Sequence, residues 1–208
     1  MSKLIVVSGA AGSGKGTVLS ELFKMSDKFR YSVSFTTRKP RPGEVDGVNY
    51  FFVSREEFDQ RVKNGDFVEY VEYCGNCYGT SKSYISLLRE QGYDVVLEIE
   101  TVGALNVMKA MPDCTSIFLA PPTYTVLEER LRGRGTETEA DITKRLARAK
   151  EEIQIASEYE YIVLNRDGEI LCAAQAIYGI CNDRIPQTDI LKNTQKEKEE
   201  FIKSFLND

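Results

Sequence analysis

The chain has 208 residues, 42% hydrophobic and 28% charged, the composition of a soluble globular protein long enough for one well-buried core. Its net charge is −5 with no basic run, which argues against a duplex nucleic acid or an anionic membrane as partner and leaves any phosphate chemistry to a few placed arginines and lysines. Histidine is absent, so Ser-His and Cys-His nucleophilic machinery is excluded and the chemistry must be run by charge and position.

The first predicted element is an apolar strand, Leu4-Ile5-Val6-Val7, running into Ser8-Gly9-Ala10-Ala11-Gly12-Ser13-Gly14-Lys15-Gly16-Thr17. That is the form of a phosphate-binding loop: glycines let successive backbone N–H groups converge on one point, and the helix that follows adds its positive end. Lys15 is expected against the β and γ oxygens of a nucleotide. The pattern G-x-x-x-x-G-K-[ST] fails at its last position, where Gly16 replaces the magnesium-ligating hydroxyl and Thr17 comes one residue later. A nucleotide is therefore expected, and direct metal ligation by the loop is not. The N-terminus enters a strand at once, without a signal-peptide pattern, and no stretch approaches the length of a membrane span, so a cytoplasmic address is expected.

Val18, Leu19, Leu22 and Phe23 recur at helical spacing, predicting a helix from Gly14 to Met25. The stretch from Tyr31 to Ser83 differs in character. It has alternating segments at Tyr50 to Val53 and Phe67 to Tyr73, and it reads as a small, more antiparallel lobe inserted in the core. Cys74-Gly75-Asn76-Cys77 within it reads as a hairpin turn at Gly75-Asn76, because a zinc or redox site would need further ligands or a thioredoxin-like context. Five cysteines and no export signal make free thiols the default. Apolar runs at Asp94 to Ile99, Thr115 to Ala120 and Tyr161 to Leu164 join Leu4 to Val7 as central parallel strands, with helical patterns between them: an α/β sheet with helices on both faces. A second insertion, about Glu129 to Arg148, carries Arg130, Arg132, Arg134, Lys144, Arg145 and Arg148, with Gly133 and Gly135 as hinges. Beyond Pro186, Ile190, Leu191, Thr194, Phe201, Ile202, Phe205 and Leu206 predict a terminal amphipathic helix that packs on the core or on a second subunit, leaving a homodimer open.

The stretch Ser32-Val33-Ser34-Phe35-Thr36-Thr37-Arg38-Lys39-Pro40-Arg41-Pro42-Gly43-Glu44, followed by Gly47-Val48-Asn49-Tyr50, holds two arginines in a stiff proline turn. That geometry suits two-sided clamping of one phosphate. Together with Glu69-Tyr70, Tyr78-Gly79-Thr80-Ser81, Leu97-Glu98-Ile99-Glu100, Arg130 to Glu139, Lys144-Arg145-Leu146 and Ile162-Val163-Leu164-Asn165, it resembles guanylate kinase. The resemblance runs to about residue 183. It implies an α/β P-loop kinase: a core of 1-32, 84-128 and 149-208, a GMP-binding lobe of 33-83 and a lid of 129-148.

The resemblance also implies roles. Ser34, Glu69, Thr80 and Glu100 match the guanine surroundings, where a carboxylate can accept both guanine N1–H and the exocyclic amine, whereas adenine would oppose it with a lone pair. Arg38, Arg41, Tyr50 and Tyr78, with Gly79 beside them, match the clamp on the GMP phosphate. Lys15 matches the donor-phosphate lysine, with Gly9, Ala10, Ala11, Gly12, Ser13, Gly14, Gly16 and Thr17 supplying loop contacts. Arg130, Arg134 and Arg145 match lid arginines, and Asn165 matches a position near adenine. Lys15, Arg38, Arg130, Arg134 and Arg145 form the expected catalytic set. ATP and GMP, and dGMP beside GMP, are the expected substrates. Mg²⁺ is expected to arrive with ATP, its waters ordered by Thr17 or Glu98. Arg132 and Arg148 read as solvated helix face, and Tyr73, Tyr84, Tyr93 and Tyr124 as packing.

The chain departs from the family pattern where Glu100 replaces an aspartate, Val102 a glutamine and Phe35 a small hydroxyl residue. A non-catalytic guanylate-kinase-like interaction module and a nucleoside monophosphate kinase of other base specificity are the competing readings.

Overall fold

The apolar runs become strands and the 3.6-residue patterns helices in a computed structural model that describes residues 2–73, 75–133, 138–188 and 190–208, the Tyr73 side chain excepted. In chain order the elements are β1 (Leu4–Gly9), α1 (Lys15–Met25), β2 (Phe29–Tyr31), β3 (Phe35–Thr36), β4 (Phe51–Phe52), α2 (Arg55–Lys63), β5 (Phe67–Tyr73) and β6 (Asn76–Ser81). They continue with α3 (Lys82–Glu90), β7 (Asp94–Glu98), α4 (Thr101–Ala110), β8 (Thr115–Ala120), α5 (Tyr124–Gly133), α6 (Glu139–Gln154), β9 (Tyr161–Leu164), α7 (Ile170–Cys181), β10 (Leu191–Lys192) and α8 (Gln195–Asn207).

Packing divides the chain into two compact units, Met1–Val6 with Lys28–Cys114 and Val7–Asp27 with Thr115–Asp208. In the first, β7 pairs in parallel with β2, and Val95 N–H donates to Lys3 O at the start of β1. A separate sheet of order β4-β3-β6-β5 follows the predicted lobe. Two of its three pairings are antiparallel. Its core is Phe35, Phe58, Phe67 and Cys77, with Phe51, Val53 and Val62 packed against them. Phe58 comes from α2, a helix the strand pattern did not foretell although its start is legible: the Ser54 side chain accepts from Glu57 N–H. The predicted hairpin turn sits one residue early, since Asn76 already pairs with Tyr73 and Gly75 carries the positive φ of 74°.

In the second unit the strand order is β10-β9-β8-β1, with β8 and β9 parallel and β10 antiparallel to β9. Val7 of β1 is fully buried here, as Leu4, Ile5 and Val6 are in the first unit, which is what a strand covered on both faces requires. The predicted terminal helix is shorter than expected. Ile190 and Leu191 enter the sheet instead, where Leu164 N–H donates to Ile190 O at 2.7 Å, and α8 begins only after a capping box of Thr194 and Glu197. Its apolar face packs on its own chain: Phe201 and Phe205 are buried, and the buried Lys198 ammonium donates to Tyr159 O at 2.7 Å. Among the described residues no helix is long and apolar enough to cross a membrane.

Candidate active site

The residues expected to hold the donor nucleotide begin where β1 meets α1. Gly14 caps the helix in the left-handed region at φ 85°, and a Cβ there would lie 2.6 Å from Asn165 Nδ2, so the position takes only glycine comfortably. No side chain caps the first turn, which leaves the positive end of α1 to an anion. Ser13 N–H closes the loop onto Ala10 O at 3.0 Å, and the Lys15 ammonium donates to Gly9 O at 2.7 Å. Gly16 and Thr17 are exposed in the first turn of α1.

Asn165, placed by β9, is 4% exposed and donates through Nδ2 to Ser13 O at 2.8 Å. Arg130, from α5, donates through Nη2 to Asn165 O at 2.6 Å and through Nε to Asp167 Oδ1 at 2.8 Å. Asn165 Oδ1, Arg130 Nη1 and Ser13 Oγ are buried without a hydrogen-bond partner among the described residues. Such atoms are costly unless a ligand or water completes them. Arg130 and Asn165 line a cavity of about 230 Å³ together with Gly12, Gly14, Thr17 and Ile170, among others. The expected donor residues Gly9 to Thr17, Arg130 and Asn165 thus stand together. Arg145 is half-buried on α6, and Arg134, with Gly135, lies outside the described residues.

The residues expected to hold the acceptor belong to the first unit. Arg41-Pro42-Gly43-Glu44 closes as a β-turn, with Glu44 N–H on Arg41 O at 3.0 Å and Gly43 at φ 88°. The turn brings the Glu44 carboxylate to Arg38 Nη2 at 2.8 Å and to Arg41 N–H at 2.7 Å. Those two bonds hold its carboxyl below the usual range. The Arg38 guanidinium lies 5.4 Å from the Tyr50 ring centre, and the Tyr50 and Tyr78 rings meet edge-on at 6.0 Å. Arg38, Tyr50 and Tyr78 are therefore gathered, whereas the Arg41 side chain is exposed and its backbone N–H is the group bonded to the Glu44 carboxylate. Glu44 went unassigned in the sequence reading.

On β5, Glu69 sits opposite Thr80 of β6, and Glu69 Oε1 accepts from the Thr80 hydroxyl at 2.7 Å. Burial raises the Glu69 carboxyl above the ordinary range, with the Thr80 bond working the other way. A Cβ on Gly103 would lie 3.1 Å from Glu69 Oε2, so the glycine of α4 makes room for this carboxylate. Ser34 holds β4 through its carbonyl, which accepts from Phe51 N–H at 2.9 Å. Glu100 is exposed at the N-cap of α4, and Val102 is 71% exposed, so neither departure disturbs the core. Phe35, the third departure, fills the lobe core at 6% exposure and stacks on Phe51 at 4.7 Å. Glu98 is exposed at the end of β7; burial pushes the nearby Tyr31 hydroxyl up to about 12, with the Glu98 charge adding.

A buried strand, a glycine loop carrying a lysine and an open helix start, set in an α/β core, define a P-loop kinase fold. Comparison with known proteins narrows the class. The family model described as guanylate kinase matches residues 1–176. A guanylate kinase of Streptococcus thermophilus (strain CNRZ 1066) is 54% identical over 175 residues, 84% of this chain and 83% of that protein. One from Streptococcus pyogenes serotype M3 is 52% identical over 175 residues, 84% and 82% of the respective chains. The crystal structure of guanylate kinase from Anaplasma phagocytophilum superposes with a TM-score of 0.63 at 28% identity, covering 96% of this chain and 95% of that one. The chain belongs to the guanylate kinase family.

Proposed function

We propose that the chain transfers the γ-phosphoryl group of ATP to GMP, and to dGMP, giving ADP and the nucleoside diphosphate, as a cytoplasmic enzyme of purine nucleotide metabolism. In this reading the loop and Lys15 hold the donor phosphates, Asn165 lies at the adenine side, and Arg130, Arg134 and Arg145 close from the lid, 129-148. The lobe, 33-83, holds GMP: Arg38, Arg41, Tyr50 and Tyr78 on its phosphate, and Ser34, Glu69, Thr80 and Glu100 around its base. The core is 1-32, 84-128 and 149-208.

The observation that carries the acceptor assignment is the half-buried Glu69 carboxylate, oriented by Thr80 and given room by Gly103. An ionised carboxylate accepts the two donors of guanine and is mismatched by the N1 lone pair of adenine. The attacking oxygen of GMP is already ionised, so the reaction needs in-line placement, neutralised charge and exclusion of water more than a base. Lys15 and the arginines supply charge, and lid closure excludes water. In this reading Mg²⁺ would travel with ATP, and Thr17 and Glu98 would act on it through water. When bound, Mg²⁺ neutralises charge on the β and γ oxygens.

A coupled ADP-release assay with GMP, dGMP, AMP, UMP and CMP tests this. Turnover with GMP and dGMP far above the other three is expected; none with any acceptor would make the chain a binding module, and preference for another base would reassign the lobe.

A further inference from the structure

We propose that Glu152 is the positioning residue of the phosphate loop and ties that loop to the helix carrying Arg145. This rests on the reading that the loop holds the ATP phosphates. Glu152 lies near the end of α6 and is only 5% exposed. A carboxylate so buried must be paired, and both its oxygens are. Oε2 accepts from Ala11 N–H at 3.0 Å and Oε1 from Arg148 Nε at 2.9 Å.

The Ala11 N–H shares a planar peptide unit with the Ala10 carbonyl, and that carbonyl accepts from Ser13 N–H at 3.0 Å. One rigid plane is thus gripped at both ends, by Glu152 on the N–H side and by the loop's own turn on the other. Three residues on, Asn165 holds the Ser13 carbonyl at 2.8 Å. These bonds fix the orientation of the Ala10–Ala11 plane and of Ser13 O before any nucleotide arrives, so the loop amides that follow need not be ordered at the cost of binding energy. Arg148 offsets the negative charge of Glu152 beside a site for an anion.

Arg145 and Glu152 are seven residues apart on α6, which places them on one helix face about 10 Å apart along the axis. The helix that brings a lid arginine therefore has its other end bonded to the loop. Its movement is felt at Ala11.

The test is steady-state kinetics of Glu152→Ala and Glu152→Gln beside Lys15→Met. Glu152→Ala is expected to raise KM for ATP about tenfold, the worth of one hydrogen bond to a charged group, and to leave KM for GMP within about twofold. Glu152→Gln keeps an acceptor for Ala11 N–H and should return KM for ATP to within about threefold of the unmodified chain. An unchanged KM for ATP in Glu152→Ala, or equal rises in both constants, overturns the proposal. Near-normal ATP kinetics in Lys15→Met would instead strike the reading of the loop itself. If Glu152→Ala does not fold, amide hydrogen exchange of the unmodified chain decides: Ala11 must exchange at least about tenfold slower than its free rate, and free exchange overturns the contact.

Discussion

Lys15 and Arg38 carry their charge at opposite ends of the proposed transfer, one on the donor loop and one in the acceptor clamp. Lys15→Met and Arg38→Met should each lower turnover by two orders of magnitude or more, by analogy with removing a positioned charge from a developing phosphoryl transition state, while circular dichroism stays native. Near-normal turnover in either purified variant would remove its assigned role. For Glu69, only the ionised carboxylate accepts both guanine donors. Because burial raises its pKa in the folded chain, GMP use is full above that raised value and is lost as pH falls through it, sooner than an ordinary glutamate would allow. A pH profile of kcat/KM for GMP should show this acid limb, and Glu69→Gln should lack it while damaging GMP use more than ATP use. These residues were legible because each lies in a local motif. Glu152 was not, since its partner Ala11 is 141 residues away and an acid on a helix face looks like any solvated charge.

At the scale of elements, the strand-loop-helix of β1 and α1 needs only local information: an apolar run, glycines where the backbone turns, and a helical apolar spacing. The terminal segment needs more. Its apolar residues support a helix all the way from Ile190, yet Leu191 and Lys192 pair with β9 and Ile190 O accepts from Leu164 N–H, because an unfilled sheet edge offers backbone hydrogen bonds that periodicity cannot register. The α8 helix is then held by Phe205 against Tyr124 at 6.1 Å and by Asp208, whose carboxylate accepts from Thr125 N–H at 2.8 Å. Phe205 is 1% exposed, so Phe205→Ala should cost about 3–5 kcal/mol and lower the thermal midpoint by roughly 10 °C. A loss below about 1 kcal/mol in urea unfolding would mean that α8 does not pack as described.

At the scale of the whole molecule, the two compact units each carry half of the proposed chemistry, the loop and cavity in one and the Arg38 and Glu69 groups in the other. Each nucleotide should then stabilise the chain independently. GMP or ATP at a hundredfold excess over its Kd should add about 2.7 kcal/mol. Differential scanning calorimetry of Lys15→Met should show the ATP shift reduced and the GMP shift kept; loss of both would contradict separate sites. The amino-acid sequence by itself determined the α/β class, the phosphate loop, the positions of the main strands along the chain and the family, because these depend on short-range periodicity and on residues that must be adjacent in the chain. Only the tertiary structure decided that Phe35 belongs to a core, that the terminal helix packs on its own chain, and that Glu44, Gly103 and Glu152 shape the sites. Their roles arise from neighbours distant in sequence or from a turn's closure, and burial and hydrogen-bond partners exist only once the chain has folded.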